Sequence, residues 1–162
     1  MVLSVMLSVC EGGSVITLDQ VETRDNLRVV SDIGSRLPIY CTSQGKVFLA
    51  HMSRTSAEAL LRAQHMTQFT PHTITDLTAL MQEIDLCRTD GYAIENGEYK
   101  IGLRSISAPV YTVEGKARYT VGVIGMFRST RSDEFLAAVE QVCATASMIS
   151  TALGYRKTEE LL

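Results

Sequence analysis

The residues most able to do chemistry in this chain lie in one stretch, Arg36 to Ala50, RLPIYCTSQGKVFLA. Pro38 fixes its own φ and biases Leu37 toward an extended conformation, so the segment enters straight. Thr42 or Ser43 can then cap a helix whose Val47, Phe48 and Leu49 point inward. The first N–H groups of such a helix lack intrahelical acceptors and sit at the positive end of its dipole, which suits a carboxylate or phosphate. Gly45-Lys46 invites comparison with a phosphate-binding P-loop. That motif needs a Gly five positions earlier and Ser or Thr after the Lys. Tyr40 and Val47 stand there instead.

Other reactive types are scattered. Cys41 beside a helix start is a candidate thiol nucleophile, but His51, its nearest base, falls at the far end of the same short helix, at about 1.5 Å per residue. Cys41 therefore reads as a small hydrophobe lining a core or a pocket. Glu95 and Glu98 could supply a general base, although a charged turn is ordinarily solvated. His65 and His72 have no ligand spacing around them. Ser105 and Ser107 alternate in a strand and share one side, so if that side is interior their hydroxyls need partners. The remaining cysteines, Cys10, Cys87 and Cys143, form neither CxxC nor Cys/His patterns, and no metal or cofactor motif is present.

These residues need a frame. The chain has 162 residues, 46% of them hydrophobic and 20% charged, which gives one folded domain with a mainly aliphatic core. The net charge is −3 and the 15 Lys and Arg are dispersed, so this chain by itself makes a poor nucleic-acid binder. No apolar run approaches the roughly 18 residues of a membrane span, and the apolar start lacks a basic leader. Leu3, Val5, Leu7 and Val9 alternate with Ser4 and Ser8, the pattern of a half-buried strand. Val2 to Cys10 and Ser14 to Val21 form a hairpin about Gly12-Gly13, and Leu27 to Val30 reads as a third strand. Helices follow over Ser56 to Ala63 and from a capping box at Thr73-Ile74-Thr75-Asp76 to Gly91. Tyr92 to Ile94 is a short strand. Leu103 to Thr112 and Ala117 to Phe127 form a second hairpin. Phe135, Val139, Val142, Ala146, Ile149 and Leu153 make a helical stripe capped by Ser132 and ended by Gly154. Strands, helices, strands and a helix in that order predict an α+β fold with an antiparallel sheet flanked by helices.

RLPIYCTSQGKVFLA, GYAIENGEYKIGLRSISAPVYTVEGK and ATASMISTALG, in that order, resemble the effector-binding domain of IclR-type transcriptional regulators. The resemblance implies a single GAF/profilin-like α+β domain over residues 1–154, with 155–162 a frayed tail. It implies a cytoplasmic, non-membrane sensor of a small-molecule metabolite that works as a homodimer or homotetramer and has no catalytic residues. Operator DNA would be met through an N-terminal winged helix-turn-helix domain that this chain does not contain. In members that bind small oxo-acids, main-chain N–H groups matching Ser43 and Gln44 hold the carboxylate, and Cys41, Gly45 and Ser107 are counted with that pocket. The family's acidic pocket residue, Asp there, falls on Glu95, and a pocket Cys falls on Ser105. Two pocket serines fall on Val123 and Gly125 if one hairpin residue is inserted. Loss of those hydroxyls implies an organic acid larger and more apolar than glyoxylate or pyruvate, either aromatic or medium-chain. The alternative reading is a GAF-like thiol enzyme of the methionine sulfoxide reductase type, which needs an exposed, reactive Cys41 or Cys87. A third is a sensor fold kept only for oligomerisation, its pocket filled by side chains.

Overall fold

The computed structural model describes residues 3–22 and 32–158. Within them a six-stranded antiparallel sheet has the order β3-β2-β1-β6-β5-β4. Its strands are β1 (Leu3–Glu11), β2 (Ser14–Glu22), β3 (Arg36–Pro38), β4 (Ala93–Asn96), β5 (Arg104–Tyr111) and β6 (Ala117–Gly125). Helices α1 (Ser43–Ala50), α2 (Arg54–Ala63) and α3 (Leu77–Asp90) cluster with one core, and α4 (Asp133–Ala152) packs on β5 and β6 with another. The expected α+β class holds. The strand expected over Leu27 to Val30 lies outside the described residues.

Several local expectations shift. Arg36 to Pro38 is itself a strand, paired with Ser14–Ile16 of β2. α3 begins at Leu77, not Thr73: Asp76 accepts from Ala79 N–H at 2.8 Å and is the cap. Thr73 instead donates its hydroxyl to Glu98 O, an acceptor that the capping-box pattern could not show. Gly91 closes α3 with φ of 81°, as its position implies. α4 is long and apolar enough to cross a membrane by length and composition, but Phe135, Val142 and Ala146 are buried against the sheet. Leu153, read as the end of its stripe, is 45% exposed. In the tail, Tyr155 stacks on Tyr111 with ring centroids 4.7 Å apart.

The sheet has two unlike faces. Along β1 the buried side is Ser4, Met6 and Ser8, while Val5 is 40% exposed. Small residues allow α1 to lie close on that side. β5 is buried on both faces: Ser105 and Ser107 belong to the α1 side, and Ile106, Ala108 and Val110 to the α4 side. Pro109 lacks an N–H, but β4 stops at Ala93, opposite Ser107, and asks nothing of it.

All eight residues of α1 are buried. The chain reaches it over Ile39 to Thr42 at very close range, so that a Cβ on Gly45 would stand 1.9 Å from Ile39 O. No side chain fits there. Gly45→Ala should cost more than about 3 kcal/mol, read by chemical denaturation. A loss below 1 kcal/mol, roughly the helix-propensity scale, would contradict this contact.

Candidate functional site

Thr42 caps α1. Its side chain accepts from Gly45 N–H at 3.2 Å and donates to Pro38 O at 2.7 Å, and its carbonyl accepts from Lys46 N–H. The N–H groups of Ser43 and Gln44 have no acceptor among the described residues. Thr42 and Gln44 border a cavity of about 250 Å³, whose wall also carries Met6, Leu37, Leu103 and Ile124. Glu95, Tyr99 and Ser105 line it too, with Asp32, Ser35, Arg36 and Lys100 at exposed or half-exposed positions.

The turn from Glu95 to Tyr99 is not solvated, contrary to the ordinary behaviour of a charged turn. Glu95 is 2% and Glu98 4% exposed. Glu95 Oε1 accepts from the backbone N–H of Glu98 and, at 3.1 Å, from that of Tyr99. Thr70 and Thr73 donate to the carbonyls of Gly97 and Glu98, both at 2.6 Å, and so pin the turn. Tyr40, Phe69 and Tyr99 form a run of ring contacts that braces it from the side. Ser105 Oγ donates to Glu95 Oε2 at 3.3 Å and meets Ser43 Oγ at 2.8 Å. Ser43 Oγ also meets Ser107 Oγ at 2.8 Å. Here are the partners that two interior serines require.

Burial above all pushes the Glu95 carboxyl up to about 7, against the opposing pull of its two backbone donors. It can therefore stand protonated beside a bound carboxylate and donate a hydrogen bond, or stand ionised and accept one. Cys41 and Cys87 are pushed up to about 12, chiefly by burial. That direction is wrong for a nucleophile. His51 is engaged by Val47 O at 2.8 Å and Tyr111 OH at 2.7 Å, and no Cys41–His51 pair forms.

Of the residues expected at a pocket, Gln44, Glu95 and Ser105 meet at this cavity, and Ser43 and Ser107 stand behind it. Cys41 belongs to the core, fully buried, and does not border the cavity. Gly45 spends its N–H on the Thr42 cap and has room for no side chain. Val123 packs with the α4-side core, and Gly125 shares its strand face, so neither is a cavity residue. Strand alternation explains the correction: a shift of one residue brings Ile124 to the cavity and Gly122 against Ser107. The sequence reading missed Met6, Leu103 and Tyr99. The period-two pattern in β1 and the closeness of Tyr99 to Glu95 were the available signals.

The chain matches the model of the family described as bacterial transcriptional regulator IclR C-terminal over residues 2–151. It is 28% identical over 153 residues to the HTH-type transcriptional repressor AllR of Escherichia coli, spanning 94% of this chain and 56% of that protein. This chain thus spans about half the length of the curated relatives it matches. A putative transcriptional regulator from Rhodococcus shares the structure with a TM-score of 0.88 and 28% identity, covering 93% of this chain and 62% of its own. A double mutant of the PobR inducer-binding domain from Acinetobacter, in complex with 3-hydroxybenzoic acid, shares the fold with a TM-score of 0.78. It is 23% identical and covers 94% of this chain and 88% of its own.

Two outcomes follow from the geometry. Glu95 has a folded pKa near 7 against an ordinary 4.5, so the folded state holds the proton more tightly than the unfolded one. Stability from this group is fully present below 4.5 and is lost as pH rises through about 7, on the order of 3 kcal/mol in all. Glu95→Gln should flatten that fall in denaturation midpoints across the same range. A variant whose profile parallels the parent would contradict the shift. Thiol titration with DTNB should label half-buried Cys10 and Cys143 in the native chain, and Cys41 and Cys87 only after unfolding. Fast native labelling of either buried thiol would contradict its burial and its raised pKa.

Proposed function

The chain belongs to the family of bacterial transcriptional regulator IclR C-terminal domains, effector-binding and not enzymatic, and from that premise we propose that its cavity is the site of an organic acid. The observation that carries the reading is the pair of unpartnered N–H groups at Ser43 and Gln44, on the helix whose N-terminal end borders a cavity of mixed polar and apolar lining. The carboxylate sits at that lip. Glu95 and Ser105 take a hydroxyl, keto or amide group across the cavity, and Met6, Leu37, Leu103 and Ile124 enclose the carbon skeleton.

Ile124 and Gly122, on the face where two pocket serines were expected, offer no hydroxyl. A two- or three-carbon oxo-acid would leave polar atoms unpaired against Ile124, at about 1–3 kcal/mol each. The volume, equal to roughly eight waters at bulk density, suits an aromatic or medium-chain acid better. That a double mutant of the PobR inducer-binding domain holds 3-hydroxybenzoic acid in the same fold is in keeping with the aromatic choice. Effector binding shifts the population between quaternary arrangements of a cytoplasmic homodimer or homotetramer. A winged helix-turn-helix domain elsewhere in the regulator then meets its operator in altered spacing.

Calorimetry with a panel of acids tests this. Benzoate, hydroxybenzoates and C6–C8 fatty acids should bind, while glyoxylate and pyruvate should not. Because an arriving carboxylate favours protonated Glu95, binding should take up a proton and weaken as pH rises through about 7. A panel in which only glyoxylate or pyruvate binds overturns the proposal, and native mass spectrometry of the same samples reads the oligomeric state.

A further inference from the structure

α1 also carries a buried cation for which the carboxylate site gives no direct use. Lys46 is 1% exposed, three residues beyond Ser43, and does not border the cavity. An isolated ammonium in such a place would lose its proton or unfold the helix. Its Nζ is held by Glu98 Oε2 at 2.7 Å, Ile94 O at 3.1 Å and Glu83 Oε2 at 3.5 Å. The backbone N–H of the same Glu98 donates to Glu95, Glu95 accepts from Ser105, and Ser105 meets Ser43. The path leaves α1 at Ser43 and returns to it at Lys46. The carboxylate lip and the cavity's acid are thus two points on one closed ring.

We propose that Lys46 is a positioning residue of effector recognition, which fixes Glu95 through Glu98 and sets the charge that an anionic effector meets, without touching it. The inference rests on the cavity being an organic-acid site. Lys46 is the one cation among the buried charged side chains of the described residues, facing Glu95 and Glu98 on the turn and Glu83 on α3. Cys41, before α1, and Cys87, on α3, also face this cluster. As thiols pushed up to about 12 they bring no charge. Arg36, Lys100 and Asp32 are exposed at the cavity's outer wall, where solvent screens them. In the buried part, Lys46 alone offsets the two carboxylates of the turn. Without it an arriving anion would face two buried carboxylates, Glu95 at the cavity wall and Glu98 behind it. One oxygen of Glu98, Oε1, is buried without a partner, so the turn has little charge compensation to spare.

The test reads Glu95 directly in the ligand-free chain, by carboxyl ¹³C NMR titration with Glu95→Gln to assign the signal. Lys46→Met should raise the Glu95 midpoint, because the lysine's charge is one of the pulls that hold it down. Glu98→Gln, which removes a neighbouring negative charge but keeps an acceptor for Lys46, should lower it. Lys46→Arg should restore the parent value. A purely structural lysine would not move the midpoint in opposite directions, so shifts of one sign, or none, overturn the proposal. If Lys46→Met does not fold, Lys46→Gln, which keeps a polar head without the charge, carries the same decision: it should raise the midpoint, and an unmoved or lowered midpoint overturns the proposal. A second arm measures benzoate against its uncharged isostere benzamide. Measured at about pH 5.5, where Glu95 is protonated in parent and variant alike, Lys46→Met should weaken benzoate about tenfold and leave benzamide unchanged. Opposed midpoint shifts with no benzoate binding to the parent would overturn the effector class while upholding Lys46 as the residue that sets Glu95. Benzoate binding with unmoved midpoints would uphold the site and overturn Lys46.

Discussion

The site depends on one constraint: α1 is buried on every side, yet its first turn must keep two backbone donors unpaired. Thr42 satisfies the donors of Gly45 and Lys46 and no others. The contact of Ile39 with Gly45 holds the incoming chain so tightly that the helix start can occupy one place only. Ser43 then ties that start to Ser105 and Ser107 on the central strand β5. A loose helix end would be hydrated and would fray. This one is tied to the sheet through Ser43 and has Thr42 and Gln44 at the cavity wall, and on the proposed reading that is what would make a weak generic property of helices specific.

Polar burial is the second consequence. A helix pressed this closely on a sheet needs small residues beneath it, and the sheet supplies Ser4, Ser8, Ser105, Ser107 and Gly122 on that face. Glu95, Glu98 and Lys46 complete an interior that is polar around the helix start and aliphatic elsewhere. Such networks are costly unless satisfied throughout. Most groups here are satisfied. The acid that borders the cavity is left near the middle of its titration, where a ligand's charge can tip it.

The sequence made the helix start legible because its signals are local: Pro38, a short polar turn, a capping residue and Gly45-Lys46. Both hairpins, Gly91 as a C-cap and the α4 cap were readable for the same reason. What stayed hidden was non-local. Glu95 and Glu98 look like a solvated turn until Thr70, Thr73 and Lys46 arrive from other elements to bury them. Thr73 looked like a cap because its true partner lies 25 residues away. The register of β6 could not be read across a hairpin, where one residue decides which face a side chain takes, and so Val123 and Gly125 stood in for Gly122 and Ile124. The serines of β1 were visible, but not that theirs is the buried side.

The central claim is that an organic acid is held by the first two N–H groups of α1, and amide NMR tests it most directly. Titrating 3-hydroxybenzoate into ¹⁵N-labelled chain should move the Ser43 and Gln44 amide protons furthest downfield, with Tyr99 and Ser105 following at the same occupancy. If the acid binds and those two amides stay still while others move, the account is wrong.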